Sequence, residues 1–263
     1  MGARITPIVR NLLILNLAVF FFDMITAEKF GDLFGLRAFN SSEFQPYQLL
    51  TYMFVHSQVG IMHILGNMFA LFVFGPMLEY AMGQRRFLAF YMLCGLGAGA
   101  FNSGVNTYML IQQRNAMEEF INDPNPDNLV IYLSNYEYLN YQNNIPFVNA
   151  YAKSPNDPKY RQESISAVKE WYLANANIPT VGASGSIFGI LVAFALLFPN
   201  VELFLLFLPF PIKAKYLVGF YIVFELYAGL GYSGASNVAH FAHLGGALIG
   251  YLLIRFWNMQ RQI

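Results

Sequence analysis

The residues of this chain that could do chemistry gather in three short stretches. Ser184 stands in Val181-Gly182-Ala183-Ser184-Gly185-Ser186-Ile187-Phe188-Gly189, where a long polar segment gives way to an apolar run. Gly182 and Gly185 leave little bulk beside the hydroxyl, so a second helix or an extended substrate backbone can come close. His243 lies in His240-Phe241-Ala242-His243-Leu244-Gly245-Gly246-Ala247-Leu248-Ile249-Gly250, with Gly246 and Gly250 on the helix face that carries its imidazole. If that glycine face met the one formed by Gly185 and Gly189, His243 would reach Ser184. A neutral imidazole there can take the serine proton and return it to a leaving amine. His63 and Asn67, one helical turn apart, aim two side-chain donors at one spot. Donors placed where an oxyanion develops are worth roughly 3–4 kcal/mol each, and the Ser184 amide at a helix N-terminus would be a third. Plainer alternatives stand beside each reading: a small-residue packing surface for the glycines, an interior hydrogen bond for His243, and an interhelical one for His63 and Asn67.

Other chemistries find little support. None of the four histidines belongs to a His-Glu-x-x-His pattern, and no pair of aspartates lies within an apolar run. No lysine lies in the interior of the apolar runs, which argues against a serine–lysine pair. The single cysteine, Cys94, excludes an internal disulfide and a Cys-x-x-Cys site. The expectation is therefore no metal and no organic cofactor; a transporter or metal site on His63, His240 and His243 is the weaker competitor. Three acids near the runs read as structural: Glu79 as an ion pair with Arg85 or Arg86, Asp23 as an acid reaching water, and Glu225 as a deeper group. A third place beside His243 is the lesser alternative for Glu225.

The elements that must position these groups are membrane helices. Of 263 residues, 56% are hydrophobic and 11% charged, well below the roughly 25% charged of soluble domains. Apolar runs able to cross about 30 Å of hydrocarbon occur near 9–26, 61–82, 86–107, 181–198, 215–231 and 238–257. The fold class expected is an all-α membrane protein, a bundle of six transmembrane helices in one domain spanning 1–263. Arg4 and Arg10, Arg85 and Arg86, Lys213 and Lys215, and Arg255 and Arg261 all fall on one side of such a bundle, which predicts that both termini are cytoplasmic. The first run has no cleavage site after it and reads as a retained span. The segment 201–212, broken by Pro209 and Pro211, reads as a connector along the inner interface.

The stretch 108–180 is expected to be a long outer loop between the third and fourth helices. Prolines at 124, 126, 146, 155 and 158 cut it into short pieces. Its tyrosines and aliphatics from Leu129 to Tyr141 could make a face lying on lipid headgroups; a solvated loop is the equal alternative. Its apolar content looks too thin for a core of its own. Formal charge is zero, so nucleic acid is not expected as a partner.

With these motifs in this order, the chain resembles the rhomboid family of intramembrane serine proteases. The likeness covers Gln45-Pro46-Tyr47-Gln48, His63 to Asn67, and Gly75-Pro76-Met77-Leu78-Glu79 with Gly83 and Arg86. It continues through Gly182-Ala183-Ser184-Gly185, Pro209-Phe210-Pro211-Ile212-Lys213 and Ala242-His243-Leu244-Gly245-Gly246. The resemblance implies that Ser184 is the nucleophile and His243 its base and acid, working as a dyad, while His63 and Asn67 complete the oxyanion site. It implies transmembrane protein substrates within a lipid bilayer, and a bacterial inner membrane as the location. It also implies that His240 helps bind water or the oxyanion. Tyr47 and Gln48 stand where many members carry tryptophan and arginine, and the 108–180 insertion exceeds that of compact members. A catalytically inactive rhomboid-like binder of membrane proteins is the alternative, although such relatives lack the serine or the histidine.

Overall fold

The structure, a computed structural model, describes residues 5–26, 29–57, 61–204, 210–232 and 239–261, without the side chains of 29, 138, 139, 231 and 232. Arg4, Pro209, Asn237, Val238 and residues 233–236 of the expected outer loop lie outside them. The helices run α1 (Pro7–Ile25), α2 (Lys29–Phe34), α3 (Gln48–Thr51), α4 (Met62–Met82), α5 (Gln84–Asn122), α6 (Pro126–Tyr136), α7 (Tyr138–Lys153), α8 (Pro158–Ala176), α9 (Ser184–Leu197), α10 (Ala214–Tyr227) and α11 (His240–Phe256). Strands β1 (Glu202–Leu203) and β2 (Ile212–Lys213) pair antiparallel, so the expected connector holds a short hairpin ladder. Two compact units result: 1–36 with 44–103 and 179–263, and 37–43 with 104–178.

In the first unit, α1, α4 and α5 are long and apolar enough to cross a membrane, and α9 is apolar but shorter. Apolar side chains cover the outside as well: Phe21 of α1 is 59% exposed, Phe69 of α4 68% and Phe220 of α10 66%. Water would not tolerate so continuous an apolar surface, and lipid does; the protein is an integral membrane protein. α9 is buried nearly all round, through Gly185, Ser186, Ile187, Gly189, Ile190, Ala193, Phe194 and Leu197, as a helix at the centre of a bundle must be. α10 turns only Ala214, Val218 and Glu225 fully inward. Tyr91, Phe90, Phe87 and Leu71, none with any exposed surface, lie in the same core cluster as Ile190 and Phe194 of α9.

Two acids depart from expectation. Glu79 makes no ion pair with Arg85 or Arg86; its carboxylate accepts from the amides of Ile8 at 3.2 Å and Val9 at 3.0 Å. The start of α1 has Thr6 without a side-chain cap and Pro7 at its first position, so Glu79 supplies from a distance the acceptor that the helix end lacks. Asp23 does not reach water: it is 2% exposed and accepts from the Phe30 amide at 3.1 Å.

The second unit is helical where a loop was expected at 108–180. α5 continues to Asn122 and α6, α7 and α8 follow. Phe120, Leu129, Tyr132, Leu133, Val148, Tyr151 and Val168 form a buried cluster. Two of the prolines begin helices instead of ending them. Pro126 follows an Asn125 cap that accepts from Asn128 N, and Pro158 follows an Asp157 cap that accepts from Lys159 N. Of the face proposed for lipid headgroups, Leu129, Tyr132 and Leu133 pack inward in the cluster while Ile131 and Tyr136 stay exposed. Tyrosine bodies supply the apolar volume that a count of aliphatics overlooks. Their polar ends are bonded: Tyr151 donates to Pro124 O at 2.7 Å, and Gln113 donates to Tyr132 Oη at 3.1 Å.

Candidate active site

Ser184 is the first residue of α9, and the approach to it is pinned by backbone. Leu36 and Thr180 exchange two hydrogen bonds of 2.8 Å. The Gly182 amide donates to Tyr52 O at 3.0 Å, and Tyr52 Oη donates to Gly95 O at 2.7 Å. Gly182 has φ +122°, a conformation that side-chain-bearing residues rarely adopt. A Cβ there would also lie 2.8 Å from His63 Cε1 and 2.9 Å from His63 Nε2. The edge of the His63 ring therefore sits over Gly182, two residues before Ser184. Ala183 occupies the N-cap position of α9 and gives no side-chain cap, which leaves the first amides of the helix directed at the site.

α9 and α11 meet backbone to backbone. A Cβ on Gly246 would overlap the Gly185 carbonyl oxygen, and one on Gly250 would stand 2.8 Å from both Cα and O of Gly189. Because 185 pairs with 246 and 189 with 250, the helices run parallel, and the ends carrying Ser184 and His243 lie together. Phe188, one turn beyond Ser184, stacks flat on the His243 ring with centroids 4.2 Å apart and planes at 8°. Among the described residues no hydrogen bond joins Ser184 to His243; such bonds often tighten only when substrate arrives.

Asn67 is 7% exposed and its Nδ2 has no partner in the structure. A buried donor left open is costly and uncommon, and an anion arriving beside it would find a bond ready. His63 lies one turn earlier on α4, with its ring edge against Gly182, two residues before Ser184.

Two groups on which the sequence reading placed no role also belong here. Phe188 could have been found from its spacing, four residues after Ser184 and so on the same face. His56 gave no periodic signal because it precedes α4. Its Nε2 accepts from the Ala183 amide at 3.5 Å, and its ring centroid is 5.5 Å from that of His63. Burial, and then the neighbouring His63, pushes the His56 pKa down to about 4, partly opposed by the Phe54 carbonyl.

Glu225 stands closer to the histidines than expected. Its Oε2 is 2.6 Å from His240 Nδ1, in hydrogen-bond geometry. Its Oε1 is 3.0 Å from His243 Nδ1, although the angle there falls short of a hydrogen bond. Ligand atoms of these three residues all lie within 4.8 Å of one another, so a divalent ion deserves weighing. Two ligands held about 2.0–2.1 Å from one tetrahedral zinc stand roughly 3.3 Å apart. The observed contacts of 2.6 Å and 3.0 Å are shorter, and the first is a direct hydrogen bond.

The sequence matches the Rhomboid domain family model over residues 43–113 and 164–258. It is also 26% identical over 230 residues to an uncharacterised rhomboid protein of Schizosaccharomyces pombe described as mitochondrial. That alignment covers 84% of this chain and 54% of the relative, so the chain spans about half the relative's length.

Proposed function

The chain belongs to the rhomboid family, and from that premise we propose that it is an intramembrane serine endopeptidase cleaving transmembrane proteins. One observation carries the reading: parallel α9 and α11 pack on glycine, with Phe188 flat on His243 one turn beyond Ser184. In this reading Ser184 Oγ attacks the scissile carbonyl while His243 Nε2 takes its proton. The same imidazole passes the proton to the leaving amine, and then activates the water that hydrolyses the acyl-enzyme. His63, Asn67 and the Ser184 amide face the oxyanion; the open Nδ2 of Asn67 supports that assignment. The residues require no metal or organic cofactor for these steps.

The bundle has six spans in this proposal, with α10 and α11 joining the longer helices. Basic residues at 10, 85, 86, 213, 215, 255 and 261 then share one face with both termini. α9 has 14 residues, about 21 Å of helix against about 30 Å of hydrocarbon. A helix that short, anchored at the basic face, sets Ser184 below the opposite surface, where a substrate helix must unwind to present its backbone. Glycine or proline near the top of a substrate span eases that step. The relative's description as mitochondrial gives no support to a bacterial inner membrane.

A fluorophosphonate probe applied to the detergent-solubilised full chain is expected to label the wild type. Labelling should disappear in Ser184→Ala and His243→Ala, together with cleavage of a model transmembrane substrate. A folded wild type that takes no label and cleaves no substrate would refute the protease and leave the membrane-protein binder.

A further inference from the structure

The mechanism above leaves unused the carboxylate of Glu225, the one acid that α10 carries on its inward face. It is 5% exposed, and burying a carboxylate is costly unless partners compensate. The partners are two imidazoles. Oε2 meets His240 Nδ1 at 2.6 Å and Oε1 meets His243 Nδ1 at 3.0 Å. An ionised carboxylate only accepts hydrogen bonds, so His240 Nδ1 carries the proton, and a proton on His243 Nδ1 is the arrangement that would let that nitrogen donate to Oε1 as well. That tautomer leaves His243 Nε2 with its lone pair, the form a base for Ser184 needs. Phe188 holds the plane of the ring; what remains to be fixed is which nitrogen is protonated. His240 occupies the second carboxylate oxygen and so keeps the first directed at His243.

We propose that Glu225 is a positioning residue, braced by His240, that fixes the tautomer of His243 and extends the serine–histidine pair to a serine–histidine–carboxylate arrangement. The proposal deepens the protease reading, on which its effect on turnover rests. A carboxylate behind a catalytic imidazole works in this way in soluble serine hydrolases. Here it comes from a neighbouring helix, with Oε1 standing 3.0 Å from His243 Nδ1.

The test uses the full chain in detergent micelles, as wild type, Glu225→Met and Glu225→Gln. Nitrogen-15 resonances of the imidazoles report which nitrogen is protonated. With four histidines in the chain, His243 is assigned by replacing the others singly. The wild type is expected to show His243 protonated at Nδ1. Glu225→Met loses that preference, and Glu225→Gln, which keeps an acceptor oxygen, recovers part of it. Turnover of a transmembrane substrate should fall in kcat for Glu225→Met, by up to the roughly 10,000-fold that loss of the carboxylate costs the soluble triad, with KM little changed and Glu225→Gln between. If Glu225→Met does not fold, Glu225→Gln carries the comparison alone, since it retains shape. The proposal is overturned if folded variants keep the wild-type tautomer and kcat. Stoichiometric zinc whose removal abolishes the wild-type signature would overturn it too. A wild type that takes no fluorophosphonate counts against the protease, while the tautomer comparison still decides the contact.

Discussion

Replacing Gly246 by alanine tests the frame on which the site depends. The added methyl would overlap the Gly185 carbonyl oxygen and stand 3.0 Å from Gly185 Cα. Both obstacles are backbone, so no rotamer change relieves them and the helices must part. At the next contact a methyl on Gly250 lies 2.8 Å from Gly189, about 0.6 Å inside ordinary contact, and the shift at Gly246 is larger. Overpacking of this kind costs about 1–3 kcal/mol. A displacement near 1 Å between reacting groups costs about 100-fold in rate. Melting temperature and fluorophosphonate labelling rate, measured in one detergent, should fall in the order Gly246→Ala below Gly250→Ala below wild type. Gly219→Ala is the control, because its methyl would meet no atom within 4 Å. A Gly246→Ala protein with wild-type melting and labelling would refute the packing argument, as would equal damage from Gly219→Ala.

Asn67→Ala is expected to lower kcat about 100- to 1,000-fold with little change in KM. Its melting temperature should be unchanged or higher, since a buried unpaired donor is removed. Glu79→Ala should destabilise the protein by about 1–2 kcal/mol through loss of the α1 cap, whereas Arg85→Ala should do little; thermal melting separates the cap from an ion pair. His56 supplies a pH dependence. Its folded pKa, about 4, lies below the ordinary 6.5, so the unfolded chain binds the proton first as pH falls. Its contribution is full above pH 6.5, declines toward pH 4, and amounts to at most about 3 kcal/mol. Melting temperatures of wild type and His56→Gln across that window should show a shallower decline in the variant.

The sequence alone carried much of the site, because membrane helices leave strong marks. A serine and a histidine each followed by glycines at helical spacing, and a histidine one turn before an asparagine, are local patterns. Depth and direction follow from where apolar runs begin and where arginines stand. Tertiary structure decided the partners. Nothing near Glu225 in sequence announces two histidines, because the contact crosses between helices. Nothing near Glu79 announces the start of α1, seventy residues earlier. The helices of the insertion are hidden in the sequence for a related reason: proline at a helix's first position and proline at a break look alike until a capping bond shows which is present. The pattern 182–185 and 240–250 specifies that two helices can approach closely. Only the packed structure, in which Gly185 meets Gly246 and Gly189 meets Gly250, fixes the register that brings Ser184 and His243 to one end, since register depends on backbone contacts that no single helix contains.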